Sequence, residues 1–144
     1  MAMSSGYIPA AMRKRLRAES NHQCAYCRSS EILTGMPLVV DHIKPRALGG
    51  KTSVANLCLA CHRCNQYKGA RSRAVDPFSG KTVMLFNPRQ QSWHDHFKWN
   101  HEGTQILGLT PCGRATVAAL QLNNEELVAG REIWDRLGLH PPLD

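Results

Sequence analysis

The chain has 144 residues and a formal net charge of +7, from 18 Lys and Arg against 11 Asp and Glu. That length suits one domain, or a small domain with an extension, burying about 70% of the extended-chain surface. The apolar fraction of 42% is ordinary, and no run approaches the ~18 apolar residues of a membrane span, so a membrane protein, a disordered tail and a secreted mini-scaffold are set aside.

Taken in chain order, Pro9 opens a first helix expected to run to about Glu19, with Met12 and Leu16 four apart and Arg13, Lys14, Arg15 and Arg17 spread over its other faces. Asn21, which tolerates the left-handed conformation, ends it. Residues 24–27, CAYC, form a first cysteine knuckle. Leu38-Val39-Val40 then reads as a short strand ending in Asp41-His42-Ile43, with a turn at Lys44-Pro45-Arg46 and a loop at Leu48-Gly49-Gly50-Lys51. Ser53 is expected to cap a short helix through about Leu59, and Cys61–Tyr67 to form a second knuckle entering a helix.

Between Ala70 and Gly80 the pattern is lost, with Asp76-Pro77 and Ser79-Gly80 as turn signals. Val83–Phe86 and Ile106–Leu109 are candidate strands. Thr110-Pro111 is a helix start that reaches about Leu120. Asn123 or Asn124 caps a last helix in which Leu127, Ile133, Trp134 and Leu137 share an inward face, with Gly138 at its end. No internal repeat or low-complexity tract is visible. The fold class expected is α+β, with domains at 1–75 and 76–144, the second a mainly helical extension packed on the first.

Charge is uneven. From Met1 to Val75 there are 12 Lys and Arg against 3 Asp and Glu, a balance of +9, while the remainder carries −2. A basic half that also holds the cysteine pairs proposes a polyanion partner, although charge alone fits a solvated basic face as well.

Four of the six cysteines stand as C-x-x-C pairs, Cys24/Cys27 and Cys61/Cys64, with 33 residues between them. The N-terminal residues show no apolar stretch followed by a small-residue cleavage site, so an intracellular, cytoplasmic chain is expected, in which such pairs read as metal ligands rather than disulfides. Four thiolates would close a tetrahedral Zn²⁺ site with no position left for substrate, and such a site is structural. Cys58/Cys61 has the same spacing; the pair Cys61/Cys64 is preferred because Cys58 lies in the apolar stretch Leu57–Ala60. Cys112 is read as a core thiol. His94 and His96, beside Trp93 and Phe97, read as exposed imidazoles on a packed edge rather than a second metal site. His22, His101 and His140 are expected at the surface, and Trp99 and Trp134 as anchors joining the C-terminal part to the rest.

Between the knuckles stand Asp41-His42 at a strand end, Asn56 fourteen residues after His42, and Asn65 twenty-three after it. The order C-x-x-C, D-H-I-x-P, G-G, N-L, C-x-x-C-N-x-x-K resembles the HNH nuclease family, in the subgroup with a structural zinc held by four cysteines. The resemblance runs from about His22 to Gly69. It implies a two-stranded ribbon followed by a helix gripping one metal ion, with a bend between Asp41 and His42 that lets them serve different tasks. It further implies His42 as general base, Asp41 as metal ligand, and Asn56 as the residue that ties the loop and helps to hold the base. Asn65 stands where many members have a second ligand His; His62 is out of register.

The chemistry accounts for these residue types. Phosphodiester hydrolysis needs an activated water, a neutralised phosphate and a stabilised leaving 3′ oxygen. A neutral imidazole with a pKa near ~6.5 is poised to deprotonate water, and a divalent cation serves the other two needs. An amide oxygen at Asn65 shifts preference towards hard cations, hence Mg²⁺ or Mn²⁺ over Ni²⁺ or Zn²⁺ as catalytic ion. Lys68 matches a basic position of the motif and is expected at phosphate, with Arg46, Arg63, Arg71 and Arg73 extending the contact.

Two functions follow: a metal-dependent DNA endonuclease, leaving 5′-phosphate and 3′-hydroxyl ends by family analogy, or a zinc-stabilised nucleic-acid-binding module without catalysis. Basic charge and cysteines fit both, whereas the Asp-His-Asn-Asn set fits only the first. A thiol oxidoreductase would not require that set.

Overall fold

The computed structural model describes residues 7–142. The chain divides into two units, one made of residues up to 72 with 87–90, the other of 73–86 and 91 onward. The division departs from a boundary at 75/76 because residues 73–75 form a strand paired inside the second unit.

In the first unit, α1 spans Ala10–Ser20 between Pro9 and a left-handed Asn21 at φ 52°. Pro9 needs no amide donor at the position before the helix, and Leu16 is the buried residue of its inner face. Its Arg17 reaches Glu31, the first residue of α2 (Glu31–Thr34), with Nη1 2.8 Å from both carboxylate oxygens. The same carboxylate meets His22 Nδ1 at 2.9 Å and accepts from the Leu38 amide at 3.2 Å. One carboxylate thus joins α1, the first knuckle and the approach to the central ribbon. Burial alone would raise the Glu31 pKa, but the bonds from His22, Arg17 and Leu38 bring it down to about 2 from an ordinary 4.5. Its stabilisation is therefore complete above pH 4.5 and is lost as pH falls towards 2. Replacing Glu31 by Gln should cost about 1.5–3 kcal/mol at neutral pH. Urea melts of the two proteins should converge as the buffer is acidified through that window, and parallel curves would contradict the assignment.

The ribbon is antiparallel: β1 (Val39–His42) pairs with β2 (Leu57–Ala60), with Val39 opposite Ala60 and His42 opposite Leu57. The helix expected from Ser53 through Leu59 is instead a 3₁₀ turn, Val54–Asn56, followed by β2. All four residues of β2 are buried, which a strand covered on both faces requires and an amphipathic helix does not. Then α3 (His62–Lys68) starts from Cys61 as N-cap. Two strands and a helix make the core, with α1 against β2 and α3 against β1.

In the second unit, β3 (Arg73–Val75) and β4 (Thr82–Met84) form a hairpin. Its turn is set by buried Asp76, which accepts from the amides of Phe78 and Ser79 and takes a bidentate bond from Arg114 at 2.9 Å. A short α4 (Trp93–His96) leads into β5 (Phe97–Trp99), which pairs with β6 (Ile106–Gly108). Next comes α5 (Pro111–Ala119), capped by the Thr110 side chain as its sequence predicts. It approaches so closely that a Cβ on Gly113 would lie 2.1 Å from the His96 carbonyl oxygen. The last helix, α6 (Glu125–Arg136), is capped by Asn124.

The inward face of α6 differs from the expectation: Ile133 and Leu137 are exposed, and Arg131 is buried. Its guanidinium donates to the carbonyls of Thr104 and Leu122 and lies over the Trp99 ring. An apolar count could not have placed a cation there. Trp99 and Trp134 both meet the ring of His140, which is buried rather than at the surface. Cys112 is half-buried rather than core. Among the described residues no helix is long and apolar enough to cross a membrane.

Candidate active site and zinc centre

The first knuckle folds back on itself. The Cys24 amide donates to the Ser29 carbonyl, Arg28 donates to the Cys24 carbonyl, and Arg28 takes a positive φ of 66° to close the turn. Ala25 donates to the Leu59 carbonyl, which fastens the knuckle to β2. The second knuckle is the start of α3, where Cys61 Sγ accepts from the Cys64 amide at 3.3 Å. The result gathers Cys24, Cys27, Cys61 and Cys64, with all four sulfur atoms within 4.8 Å of one another.

That spacing fits zinc. Tetrahedral Zn²⁺ with Zn–S bonds of about 2.3 Å separates its sulfurs by about 3.8 Å, and Cys27 and Cys61 Sγ stand 3.7 Å apart. Burial holds the Cys24 thiol well above its usual range, while bonds from Cys24, Cys61 and Cys64 hold Cys27 well below. Such a quartet holds its negative charge only against a cation. Cys58 is excluded from it, because on β2 its sulfur lies 3.7 Å from both the Tyr26 hydroxyl and Asp41 Oδ2. Its thiol is pushed well up by burial and by Asp41.

Asp41 faces inward. The ladder continues through Asp41 opposite Cys58 and His42 opposite Leu57, and the chain bends directly after them, at residues 43–44, rather than between them. The Tyr26 hydroxyl donates to Asp41 Oδ2 at 2.6 Å, and Lys68 Nζ stands 3.2 Å from Oδ1. Burial, Cys58 and Asp41 hold the Tyr26 phenol well above its usual pKa, so it stays a donor. Lys68 also donates to the His42 carbonyl at 2.9 Å and is 1% exposed. The expectation of Lys68 at phosphate is therefore corrected. The ammonium is drawn inward because Asp41, 3% exposed, would otherwise be a buried charge without a counter-ion.

Removing one partner of such a pair typically costs about 3–5 kcal/mol, because the other charge stays buried and unpaired. Lys68→Met should lower the zinc-loaded protein's stability by that amount in urea unfolding, and adding Asp41→Asn should recover part of the loss. A Lys68→Met protein as stable as the parent would remove the pair from the core.

His42 is half-buried at the end of β1, and its Nε2 lies 2.9 Å from Thr52 Oγ1. Burial lowers its pKa, as do Arg46 and Lys68, against an opposing pull from Asp41. Its surroundings thus favour the neutral ring, the form that can accept a proton. Asn56 ties the intervening loop: Oδ1 accepts from the Lys44 amide at 2.8 Å, and Nδ2 donates to the carbonyls of Lys44 and Lys51 at 3.0 and 2.9 Å. Gly50 is needed at the crossing, since a Cβ there would lie 1.7 Å from the Lys44 carbonyl oxygen.

Asn65 is half-buried on α3, three residues before Lys68 and so on the same face, and its side chain makes no hydrogen bond among the described residues. Arg46 is exposed on the 3₁₀ turn Arg46–Leu48, within electrostatic reach of His42. Arg63 is half-buried on the first turn of α3. Arg71 donates to the carbonyls of Tyr67 and Lys68, closing the C-terminal end of α3. Arg73 is exposed on β3, in the second unit.

Sequence reasoning missed Tyr26 and Thr52. Tyr26 is a variable position inside a knuckle, and Thr52 is one polar residue in a loop; neither carries a spacing signal. His94 and His96 form no metal cluster among the described residues: His94 lies against the Trp93 ring, and His96 Nδ1 bonds Thr110.

Residues 24–71 match the family model "HNH endonuclease". The chain is also similar to the CRISPR-associated endonuclease Cas9 of Corynebacterium diphtheriae, at 52% identity over 56 residues. That match covers 38% of this chain and 5% of the relative, so the chain spans only a small part of the curated relative's length. No solved structure matches. The segment that matches the family model, Cys24 to Arg71, is the one that holds the four gathered cysteines, the ribbon and α3.

Proposed function

We propose that the protein is a metal-dependent DNA endonuclease that hydrolyses phosphodiester bonds, with His42 as general base. The observation that carries this reading is the strand end itself. A half-buried imidazole with a lowered pKa sits there, on a loop tied three ways by Asn56. Asp41 beside it is clamped to the helix that bears Asn65. A binding module has no need of a neutral base in that position.

The donor set fits a hard cation, because Asp41 Oδ1 already faces one, the Lys68 ammonium, and the Asn65 amide has no partner among the described residues. Asp41 and Asn65 would hold a Mg²⁺ or Mn²⁺ ion, which supplies charge neutralisation at the phosphate and at the leaving oxygen. Lys68 must give up Asp41 Oδ1 for this to happen. His42, at the end of the same strand, takes the proton of the attacking water. Arg46 and Arg63 contact the phosphate backbone without reading bases. Zinc on the four cysteines braces the ribbon and helix.

The test is plasmid nicking by the zinc-loaded protein, titrated with divalent ions and with His42→Ala as matched control. Cutting with Mg²⁺ or Mn²⁺ and little with added Zn²⁺ is the expected result. DNA binding with no cutting under any ion would leave a zinc-stabilised binding module in its place.

A further inference from the structure

A general base has two ring nitrogens, and only one can carry the lone pair that takes the proton. His42 Nε2 is engaged by Thr52 Oγ1 at 2.9 Å, while Nδ1 has no partner among the described residues. We propose that Thr52 is the positioning residue of the base: its hydroxyl oxygen accepts the Nε2–H of His42, holding the imidazole in the tautomer whose bare Nδ1 receives the proton from water. The opposite direction, with Thr52 donating to Nε2, would put the ring hydrogen on Nδ1 and leave neither nitrogen basic. The inference rests on the nuclease reading for its consequence, though not for the hydrogen bond.

The loop around Thr52 is built to keep that oxygen in place. Residue 51, next to it, is tied through its carbonyl to Asn56 Nδ2, and the same amide holds Lys44, two residues after His42. Gly50 lets the loop cross the Lys44 carbonyl with no room for a side chain. Asn56 and Gly50 therefore reach the base indirectly, by presenting Thr52, and Thr52 alone touches the ring among these residues. Thr52 touches neither water nor phosphate in this scheme, which makes it a positioning residue rather than a catalytic one.

Two substitutions separate this role from simple packing. Thr52→Val preserves shape and removes the oxygen; Thr52→Ser preserves the oxygen and removes a methyl group. With Mg²⁺ or Mn²⁺, Thr52→Val should lower kcat for nicking about 10- to 100-fold, the loss typical of partners that orient metal-bound histidines, with KM for DNA unchanged. Thr52→Ser should recover most of the rate. Nitrogen-15 spectra of the histidine rings, recorded at mildly alkaline pH without added divalent catalytic ion, read the tautomer directly and need no activity. The parent and Thr52→Ser should show His42 protonated at Nε2, and Thr52→Val a mixture of tautomers. A parent ring protonated at Nδ1, a fully active Thr52→Val, or a Thr52→Ser as slow as Thr52→Val would each overturn the proposal. If the parent binds DNA but never cuts, the nuclease reading fails, and the spectra still decide whether Thr52 sets the tautomer.

Discussion

Stripping zinc with a strong chelator, or replacing Cys64 by Ser, should unfold the first unit. Structural Zn²⁺ bound by cysteines contributes roughly 10–16 kcal/mol of apparent free energy at neutral pH, against a total of about 5–15 kcal/mol for a typical domain. The core it braces is small, with Leu16, Leu38, Ile43, Leu57, Leu59 and Tyr26 as its main buried side chains. The four sulfurs connect the knuckle at 24–27 to the start of α3; without that link the Ala25–Leu59 and Tyr26–Asp41 bonds and side-chain packing are left to hold the knuckle to the ribbon. The measurement is hydrogen exchange at the β1 and β2 amides, protected in the zinc form and unprotected after chelation. Restoring zinc should restore protection to the parent and not to Cys64→Ser. If the ladder stays protected in the metal-stripped protein, the cysteines brace nothing.

His42→Ala is expected to abolish detectable nicking while leaving DNA affinity within a few-fold of the parent. A positioned general base typically contributes about 10²–10⁴-fold, or about 3–5 kcal/mol of transition-state stabilisation. None of it is available to the ground-state complex, so the loss should fall on kcat. The fold should survive: the ring is half-buried, and the backbone carbonyl of residue 42 that takes the Lys68 bond is present in alanine too. A gel-shift with parent and variant, run beside the nicking assay, separates the two effects. Equal cutting by both proteins would remove His42 from the chemistry, and weaker binding in step with weaker cutting would make it a binding residue.

Legibility followed the range of the interactions. Helix ends at Pro9, Asn21, Thr110 and Asn124 were readable because a cap depends on one residue and its immediate neighbours. The cysteine quartet was readable because a knuckle imposes a spacing on the chain, and the structure gathers Cys61 and Cys64, not Cys58, with Cys24 and Cys27. The strand Leu57–Ala60 was misread, since a short apolar run buried on both faces has no period to distinguish it from a helix. Arg131 was missed because its burial depends on acceptors outside α6, the carbonyls of Thr104 and Leu122 and the side-chain oxygen of Asn123, which the sequence of the helix does not hold.

Within the site, residue types and spacings already stated which chemistry the ribbon could support and that four thiolates would hold a metal. What they could not state is which charges face each other. Asp41 is satisfied by Tyr26, fifteen residues back, and Lys68, twenty-seven residues on. The family resemblance put Lys68 at phosphate, yet a carboxylate taken out of water draws the nearest ammonium in with it. Thr52 acquires its place beside His42 only after Asn56 and Gly50 have closed the loop. Local capping and metal spacing are properties of the chain; the pairing of buried charges and the direction of a ring nitrogen are properties of the folded interior, where distance in space replaces distance in sequence.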